Sequence, residues 1–340
     1  MADALISPST GLGFYAVSAG LLAYSAKKTS QEESYERKLP LMGVLGAFIF
    51  AAQMINFTIP GTGSSGHIGG GMLLAILLGP SAAFLAIASV LLVQCLFFAD
   101  GGLLALGCNI FNLGFWPCFV GFPLYRWLTR RHSSIEGSML AALFSVMLSL
   151  ELGAFGVVIQ TLLSGRSELP FAQFSILMLS IHLPIAMVEG LITAGMVQFV
   201  HKLIPDSGEA IAAEPSHFRA PALVALAGCV LFVGMILAWF ASSQPDGLEW
   251  SISRVSGQEE LSAPGQGVAQ QLQSIQEKTA FLPDYAFPKS GNEAGEGREA
   301  WPAINPGTSI AGLLGALLTA GMILLTGVVL HTWRKRHAHT

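Results

Sequence analysis

A single histidine in a glycine-rich segment offers the clearest ligand-binding chemistry in this sequence. The segment, PGTGSSGHIGGG, occupies positions 60–71 and places six glycines around His67. Glycine lets a backbone turn tightly and approach a ligand closely, and a neutral imidazole is a common metal ligand. His67 is therefore a candidate metal ligand. On composition alone a second interpretation stays open, in which the glycines build a re-entrant turn and His67 is a hydrogen-bonded bystander.

Polar and ionisable residues inside apolar runs form a second set of candidates. A charged side chain at the centre of a membrane costs at least about 2.5 kcal/mol, so such residues usually have a function. His182 and Glu189 are about two helical turns apart and share one helix face. They could pair, line a path, or form interhelical hydrogen bonds that fix the packing. Further candidates for a path or for contacts between helices are Asn56, Asn109, Asn112 and Glu151, with Asp100 expected at the outer interface.

Several function classes lack their motifs. No G-x-x-x-x-G-K-[ST] sequence occurs, so ATP hydrolysis by a P-loop is not expected, and neither H-E-x-x-H nor G-x-S-x-G is present to indicate an enzyme. The four cysteines lack C-x-x-C spacing, which argues against a zinc site or a disulfide framework. A formal net charge of -4 without a dense basic tract disfavours nucleic-acid binding. No catalytic residue is assigned.

Composition and the length of the apolar runs define the fold class. Of the 340 residues, 52% are hydrophobic and 11% are charged, against roughly 25% charged residues in soluble domains. The runs predict an all-α integral membrane protein with seven helices, followed by two more near 221–240 and 308–331 that flank a loop of residues 242–307. The seven earlier runs are approximately 11–26, 39–59, 70–79, 81–98, 103–122, 138–163 and 171–200.

The charges predict an orientation in the membrane. Loops rich in Lys and Arg face the cytoplasm, which places the loop beginning with Lys27 and Lys28 inside and the N-terminus outside. The same rule places the RKR sequence at 334–336 inside. The loop of residues 242–307 is then outside and holds nine acidic residues against four basic ones. Its content of Ser, Gln, Glu, Gly and Pro predicts that it is only partly ordered.

Four extended motifs resemble the CbiM/NikM family. They are MADALISP at the N-terminus, NFTIPGTGSSGHIGGGMLLAILLGP at 56–80, FFADGGLLALGCNIFNLG at 97–114 and HLPIAMVEGLIT at 182–193. Members of this family are the substrate-binding membrane subunits (S components) of energy-coupling factor transporters for cobalt and nickel. The remainder, whose loop opens with PDGLE, resembles the small NikN/CbiN-like accessory subunit fused to the same chain. The expected division is therefore residues 1–215 and residues 216–340.

The resemblance implies a metal site built from nitrogen donors. In the family, the free amine of a Met-His start, the amide and imidazole of that His, and the His of the glycine-rich segment bind Ni²⁺ or Co²⁺ in a near-planar set. His67 matches the last position, and the ligand interpretation of His67 becomes the favoured one. The family carries the start as MHMADALISP, whereas this sequence begins MADALISP. Two alternatives remain: a start two residues upstream, or a site that uses the Met1 amine with another neighbour.

The resemblance also implies the function and the partners. The chain would capture Ni²⁺ or Co²⁺, which the sequence does not distinguish, and would require no cofactor. It would work with a coupling transmembrane subunit (T component) and two P-loop ATPase subunits in the lipid of a bacterial or archaeal cytoplasmic membrane. Two alternatives from other classes are a stand-alone proton-coupled metal transporter that uses His182 and Glu189, and a membrane metal-sensing receptor.

The PDGLE sequence predicts a turn close to the membrane. Pro245, Asp246 and Gly247 are turn residues, and Glu249 follows them. A turn here would bring the outside loop back onto the core near the N-terminus and His67. Because the loop contains neither histidine nor cysteine, we expect it to act mechanically and to supply no metal ligand.

Overall fold

The computed structural model describes residues 1–33, 35–132, 134–165, 169–203, 220–258, 261, 267–287 and 301–337. The predicted boundary at 215–216 and parts of the 242–307 loop lie outside these residues. Within them, helix is found in each of the nine predicted apolar runs. The helices are α1 (Pro8–Ser30), α2 (Tyr35–Gln53), α3 (Gly71–Leu78), α4 (Pro80–Phe98), α5 (Leu106–Ile110), α6 (Phe122–Arg131), α7 (Ile135–Ser164), α8 (Phe171–Leu203), α9 (Ala220–Met235), α10 (Gly247–Ser256), α11 (Val268–Thr279) and α12 (Pro306–His337).

Local sequence signals explain where the long helices begin and end. Ser7 caps α1 by accepting from the backbone N–H of Thr10, and Pro8 occupies the first turn, where a missing N–H costs nothing. Ser134 caps α7 in the same way. Gly165 ends α7 in the left-handed conformation that glycine adopts without strain.

Five of the described helical segments are long and apolar enough to cross a membrane, and α2 adds a shorter apolar stretch. The spans are Pro80–Phe98, Ile135–Ser164, Phe171–Phe199, Leu223–Phe240 and Pro306–Thr332. The protein is therefore an all-α multi-pass membrane protein, as its composition predicts.

Helix α3 is too short to cross a membrane alone, and the structure shows how it is accommodated. All eight of its residues are buried inside the protein. It begins after Gly70, which has a φ of 73°, and is separated from α4 by Gly79. Of the three options that its length leaves open (tilt, shielding by protein, or continuation by the glycine-rich segment), shielding is the one observed.

Two predicted helix boundaries are wrong. The run at 39–59 is not helical to its end, because α2 stops at Gln53 and Phe57–Ile59 forms a strand, β1. This strand pairs antiparallel with β2 (Ser64–Gly66), with Phe57 opposite Gly66. Gly61 and Gly63 lie between the strands with φ values of 78° and 77°, which glycine adopts without strain and which let the chain turn back into β2.

The run at 103–122 also differs from a simple helix. After the single turn or so of α5, residues Phe111–Gly121 form a π-helix that contains Pro117, and the helix then continues as α6 to Arg131. Pro117 cannot donate a backbone hydrogen bond, so a wider helical turn at this place is physically reasonable.

The C-terminal segment between α9 and α12 lies on the C-terminal end of α4. Gln276 of α11 donates from Nε2 to Cys95 O at 2.9 Å and to Gly101 O at 2.7 Å. The hydroxyl of Tyr285 donates to the Asp100 carboxylate. Polar contacts therefore attach the described part of the 242–307 loop to the core.

Helices α9 and α12 approach closely at glycines. A Cβ on Gly312 would lie against the backbone of Gly234, 2.9 Å from its Cα, whereas a Cβ on Gly321 of the same helix would meet nothing within 4 Å. Small residues at such crossings let membrane helices pack backbone to backbone.

We expect Gly312→Ala to lower the thermal unfolding temperature of the detergent-solubilised protein, because the added methyl group pushes α9 and α12 apart. Gly321→Ala is the matched control and should leave the temperature unchanged or raise it slightly, since alanine favours helix over glycine by about 1 kcal/mol. Fluorescence-detected unfolding measures both, and equal behaviour of the two variants would contradict the close crossing.

Candidate metal-binding site

The N-terminal segment is fixed by hydrogen bonds to the chain that follows α4. Gly102 N–H donates to Met1 O at 3.0 Å, and Asn109 Nδ2 donates to the same oxygen at 3.4 Å. Asp3 accepts from Ala105 N–H at 3.0 Å through Oδ1. A side chain at position 102 would collide with Asp3, so glycine is required there. These contacts hold the backbone of Met1–Asp3 against the chain that follows α4.

Asp3 is buried at this junction, where it is 9% exposed. Burial raises the pKa of its carboxyl group above the ordinary value, and the backbone N–H groups of Ala105 and Leu104 oppose that effect. The carboxylate therefore serves as a local acceptor for backbone donors that would otherwise be unsatisfied.

The glycine-rich segment is held from two sides. Glu189 of α8 accepts from Gly69 N–H at 2.7 Å and from Gly70 N–H at 2.9 Å, one hydrogen bond to each carboxylate oxygen. On the other side Gln53 donates from Nε2 to Gly69 O at 2.8 Å, and Gln94 donates to Gln53 Oε1 at 2.8 Å. Both the N–H and the carbonyl group of Gly69, two residues after His67, therefore have hydrogen-bond partners.

His67 directly follows strand β2, and among the described residues its Nε2 has no hydrogen-bond partner. Its Nδ1 lies 3.2 Å from Ile68 O. Because a carbonyl oxygen only accepts hydrogen bonds, Nδ1 carries the proton and Nε2 keeps its lone pair. This is the arrangement in which a second interaction fixes the tautomer and orientation of a metal-binding imidazole.

A cavity of about 160 Å³, which we call the central cavity, brings these parts of the chain together. It lies between the N-terminal segment, the glycine-rich segment, α5, the π-helix, α7 and α8, and the start of α10 also lines it. Among the polar and ligand-capable groups lining it are those of Met1, His67, Asn109, Asn112, His182, Glu189 and Asp246.

The predicted pair on α8 lines the cavity, but its two members have separate partners. Glu189 bonds to the glycine-rich backbone, and His182 Nδ1 lies 2.7 Å from Met178 O, four residues earlier in the same helix. Glu189 therefore bonds to the non-helical backbone that precedes α3, and not to a second helix. Asn112 joins the π-helix to α7 through two amide hydrogen bonds with Gln160, at 2.8 and 3.0 Å.

Two predicted path residues lie away from the central cavity. The backbone carbonyl of Asn56 accepts from the backbone N–H of Ser242 at 2.7 Å. The carboxylate of Asp100 accepts from the hydroxyl of Tyr285. Both therefore connect the core to the C-terminal segment.

Glu151 has a buried oxygen, Oε1, that finds no hydrogen-bond partner within the described part of the chain.

The predicted turn at Pro245–Gly247 is the start of a helix. Asp246 caps α10, with its Oδ1 accepting from Leu248 N–H and Glu249 N–H, both at 2.8 Å. Glu249 Oε2 in return accepts from Asp246 N–H at 3.0 Å, which completes a capping box. The Asp-Gly-Leu-Glu spacing carries this signal, and the sequence analysis interpreted it only as a turn.

The start of α10 is attached to the glycine-rich hairpin. Ser65 donates from its backbone N–H to Pro245 O at 2.8 Å and from its hydroxyl to Gln244 O at 2.7 Å. Trp250 Nε1 donates to Thr62 O at 3.0 Å. The expected contact between the PDGLE segment and the neighbourhood of His67 is present in the structure.

Within the residues that the structure describes, no group of three or more His, Cys, Asp and Glu side chains is arranged to hold a metal ion. A site formed by side chains alone is therefore not preformed in this part of the chain. A site in the central cavity would combine imidazole nitrogen with the Met1 amine.

Comparisons with known proteins agree with the fold. Residues 1–207 match the CbiM family, described as a cobalt uptake substrate-specific transmembrane region, and residues 220–332 match the PDGLE domain. A crystal structure of a transition metal transporter superposes with a TM-score of 0.54 at 28% identity, covering 64% of this chain and 99% of the other. A truncated transition metal transporter gives 0.53 at 29% identity, covering 60% and 98%.

Two curated relatives are similar over the first part of the chain. A putative fused nickel transport protein NikMN of Archaeoglobus fulgidus is 38% identical to this chain over 200 residues. The match covers 57% of this chain and 62% of the relative, so this chain spans less than two thirds of that relative's length. A putative metal transport protein of Haloquadratum walsbyi is 35% identical over 204 residues, covering 60% of this chain and 90% of the relative. This chain therefore belongs to the CbiM family of cobalt and nickel transport membrane proteins, with a PDGLE domain following in the same polypeptide.

Proposed function

We propose that this chain is the substrate-capture subunit of an ATP-driven uptake transporter for Ni²⁺ or Co²⁺. The single observation that carries the proposal is the central cavity, which is lined by both Met1 and His67. An amine and an imidazole are donors suited to these ions, and hard ions such as Mg²⁺ bind them poorly. The ion would enter from outside, where the N-terminus would lie, and be released towards the cytoplasm.

Transport against a gradient requires energy from other subunits. The sequence contains no P-loop, so ATP hydrolysis would come from two ATPase subunits joined through a coupling transmembrane subunit. The proton-coupled alternative depends on His182 and Glu189 exchanging protons. Glu189 instead uses both oxygens to hold the glycine-rich backbone, which favours a positioning role.

His67→Ala tests the proposal directly. We expect it to weaken Ni²⁺ and Co²⁺ binding by more than about 100-fold, because it removes a ligand and not merely one of the outer partners, whose loss costs about 10- to 100-fold. Isothermal titration on the purified full chain measures this. His132→Ala is the matched control, since His132 is exposed and is not among the residues lining the cavity. Unchanged affinity in His67→Ala would refute the assignment.

The N-terminal amine gives a second test. Acetylation of Met1 should weaken Ni²⁺ binding, and the addition of Met-His before Met1 should strengthen it by supplying an imidazole. Both effects require unprotonated nitrogen donors, so binding should also release protons and weaken as the pH falls. Ni²⁺ titrations over a pH series measure all three effects. If neither the acetylated nor the extended protein differs from the parent, the N-terminus is not part of the site.

Glu189→Gln tests how the glycine-rich segment is positioned. The amide of Gln offers one acceptor oxygen and one donor group, so it cannot accept from both Gly69 N–H and Gly70 N–H. We expect metal affinity to fall by about tenfold as the His67 backbone shifts, on the scale of outer-partner losses. Glu151→Gln is the control, because it neutralises another carboxylate within the helices that has an unpartnered oxygen. Equal losses of metal affinity in the two variants would indicate that the carboxylate charge, and not the position of the glycine-rich backbone, determines the affinity.

A further inference from the structure

His182 presents one imidazole nitrogen towards the C-terminal segment. The proton is on Nδ1, since that atom lies 2.7 Å from the carbonyl oxygen of Met178, which only accepts. The lone pair is therefore on Nε2. A Cβ on Gly247 would lie 3.3 Å from Nε2 and 2.9 Å from Cε1, so the ring edge packs directly against the backbone at the start of α10. His182 has the same tautomer and the same kind of support as His67.

Asp246 adds a carboxylate to the lining of the same cavity. Its Oδ1 accepts from Leu248 N–H and Glu249 N–H, which fixes the orientation of the carboxylate. Within the described part of the chain these hydrogen bonds leave Oδ2 without a donor. Asp246 and His67 are both within electrostatic range of His182. A fixed carboxylate and a fixed imidazole thus lie on the side of the cavity that the fused segment forms.

The position of Asp246 does not depend on a flexible loop. Pro245 accepts from the backbone N–H of Ser65 at 2.8 Å, two residues before His67. Ile252 of the same helix is 4% exposed and packs in a cluster with Phe174 and Met178 of α8. Polar and apolar contacts therefore hold the start of α10 against both the glycine-rich segment and α8.

We propose that His182 Nε2 and Asp246 Oδ2 form a two-ligand contact for a divalent transition-metal ion inside the central cavity, separate from the donors of Met1 and His67. This inference rests on the proposed function, because it concerns the same ion. An imidazole with a carboxylate is a mixed nitrogen and oxygen set that Ni²⁺ and Co²⁺ accept. The carboxylate also supplies a negative charge, which neutral nitrogen donors lack. The inference assigns a ligand to the 242–307 segment, where the sequence analysis expected none.

Asp246→Asn and His182→Phe test the contact in the full chain. Asparagine is as good a helix cap as aspartate and keeps the Oδ1 acceptor, so α10 should stay in place while the carboxylate is lost. We expect each substitution to weaken Co²⁺ and Ni²⁺ binding about tenfold, and the double variant to lose less than the product of the two, because both side chains contact one ion. The visible absorption of bound Co²⁺ should change in each variant, since the ligand set changes.

Glu277→Gln is the matched control, because it removes an exposed carboxylate of α11, in the same segment, that is not among the residues lining the cavity. Its affinity should stay within about twofold of the parent. Normal affinity in Asp246→Asn together with loss of binding in His67→Ala would overturn this inference and leave the proposed function intact. Normal affinity in all of these variants would overturn both. Weaker binding with an unchanged Co²⁺ spectrum would show that Asp246 acts only through its charge, and would overturn the contact.

Discussion

A glycine-rich backbone inside an apolar helix bundle must find hydrogen-bond partners within the protein, because lipid offers none. Glu189 meets this requirement by accepting from Gly69 and Gly70, while Gln53, supported by Gln94, donates to Gly69 O. These side chains come from three different helices. The segment can therefore remain non-helical at the centre of the protein, and the orientation of His67 depends on that arrangement.

The N-terminus is placed by the same kind of constraint. Met1 O accepts from Gly102 and Asn109, and Asp3 accepts from Ala105. A chain terminus is usually poorly ordered unless it is tied down. Here its carbonyl group and a buried carboxylate tie it down beside the glycine-rich segment. Two stretches of irregular backbone thus bring Met1 and His67 to one cavity, where hydrogen bonds restrict both segments.

The C-terminal segment forms one side of the cavity. Strand β2 is an edge strand with a backbone donor at Ser65, and Pro245 supplies the acceptor. Asp246 then starts α10 directly over His182. Because the helix begins with its capping box, the position of the carboxylate follows from the position of the helix. The fused unit is consequently part of the wall of the cavity and not merely a tether.

The sequence by itself determined the all-α membrane class and the approximate helices, and it identified His67 as a candidate ligand, because apolar run length and glycine clustering are local properties. It also determined the family, through extended motifs in a fixed order. The end of α2 at Gln53, the β-hairpin and the capping role of Asp246 were decided by the tertiary structure. So were the partners of Glu189, Asp100 and His182. Helical periodicity places two residues on one face, but a buried polar group takes its partner from whichever element packs against it. That partner is distant in the chain, so no local pattern specifies it.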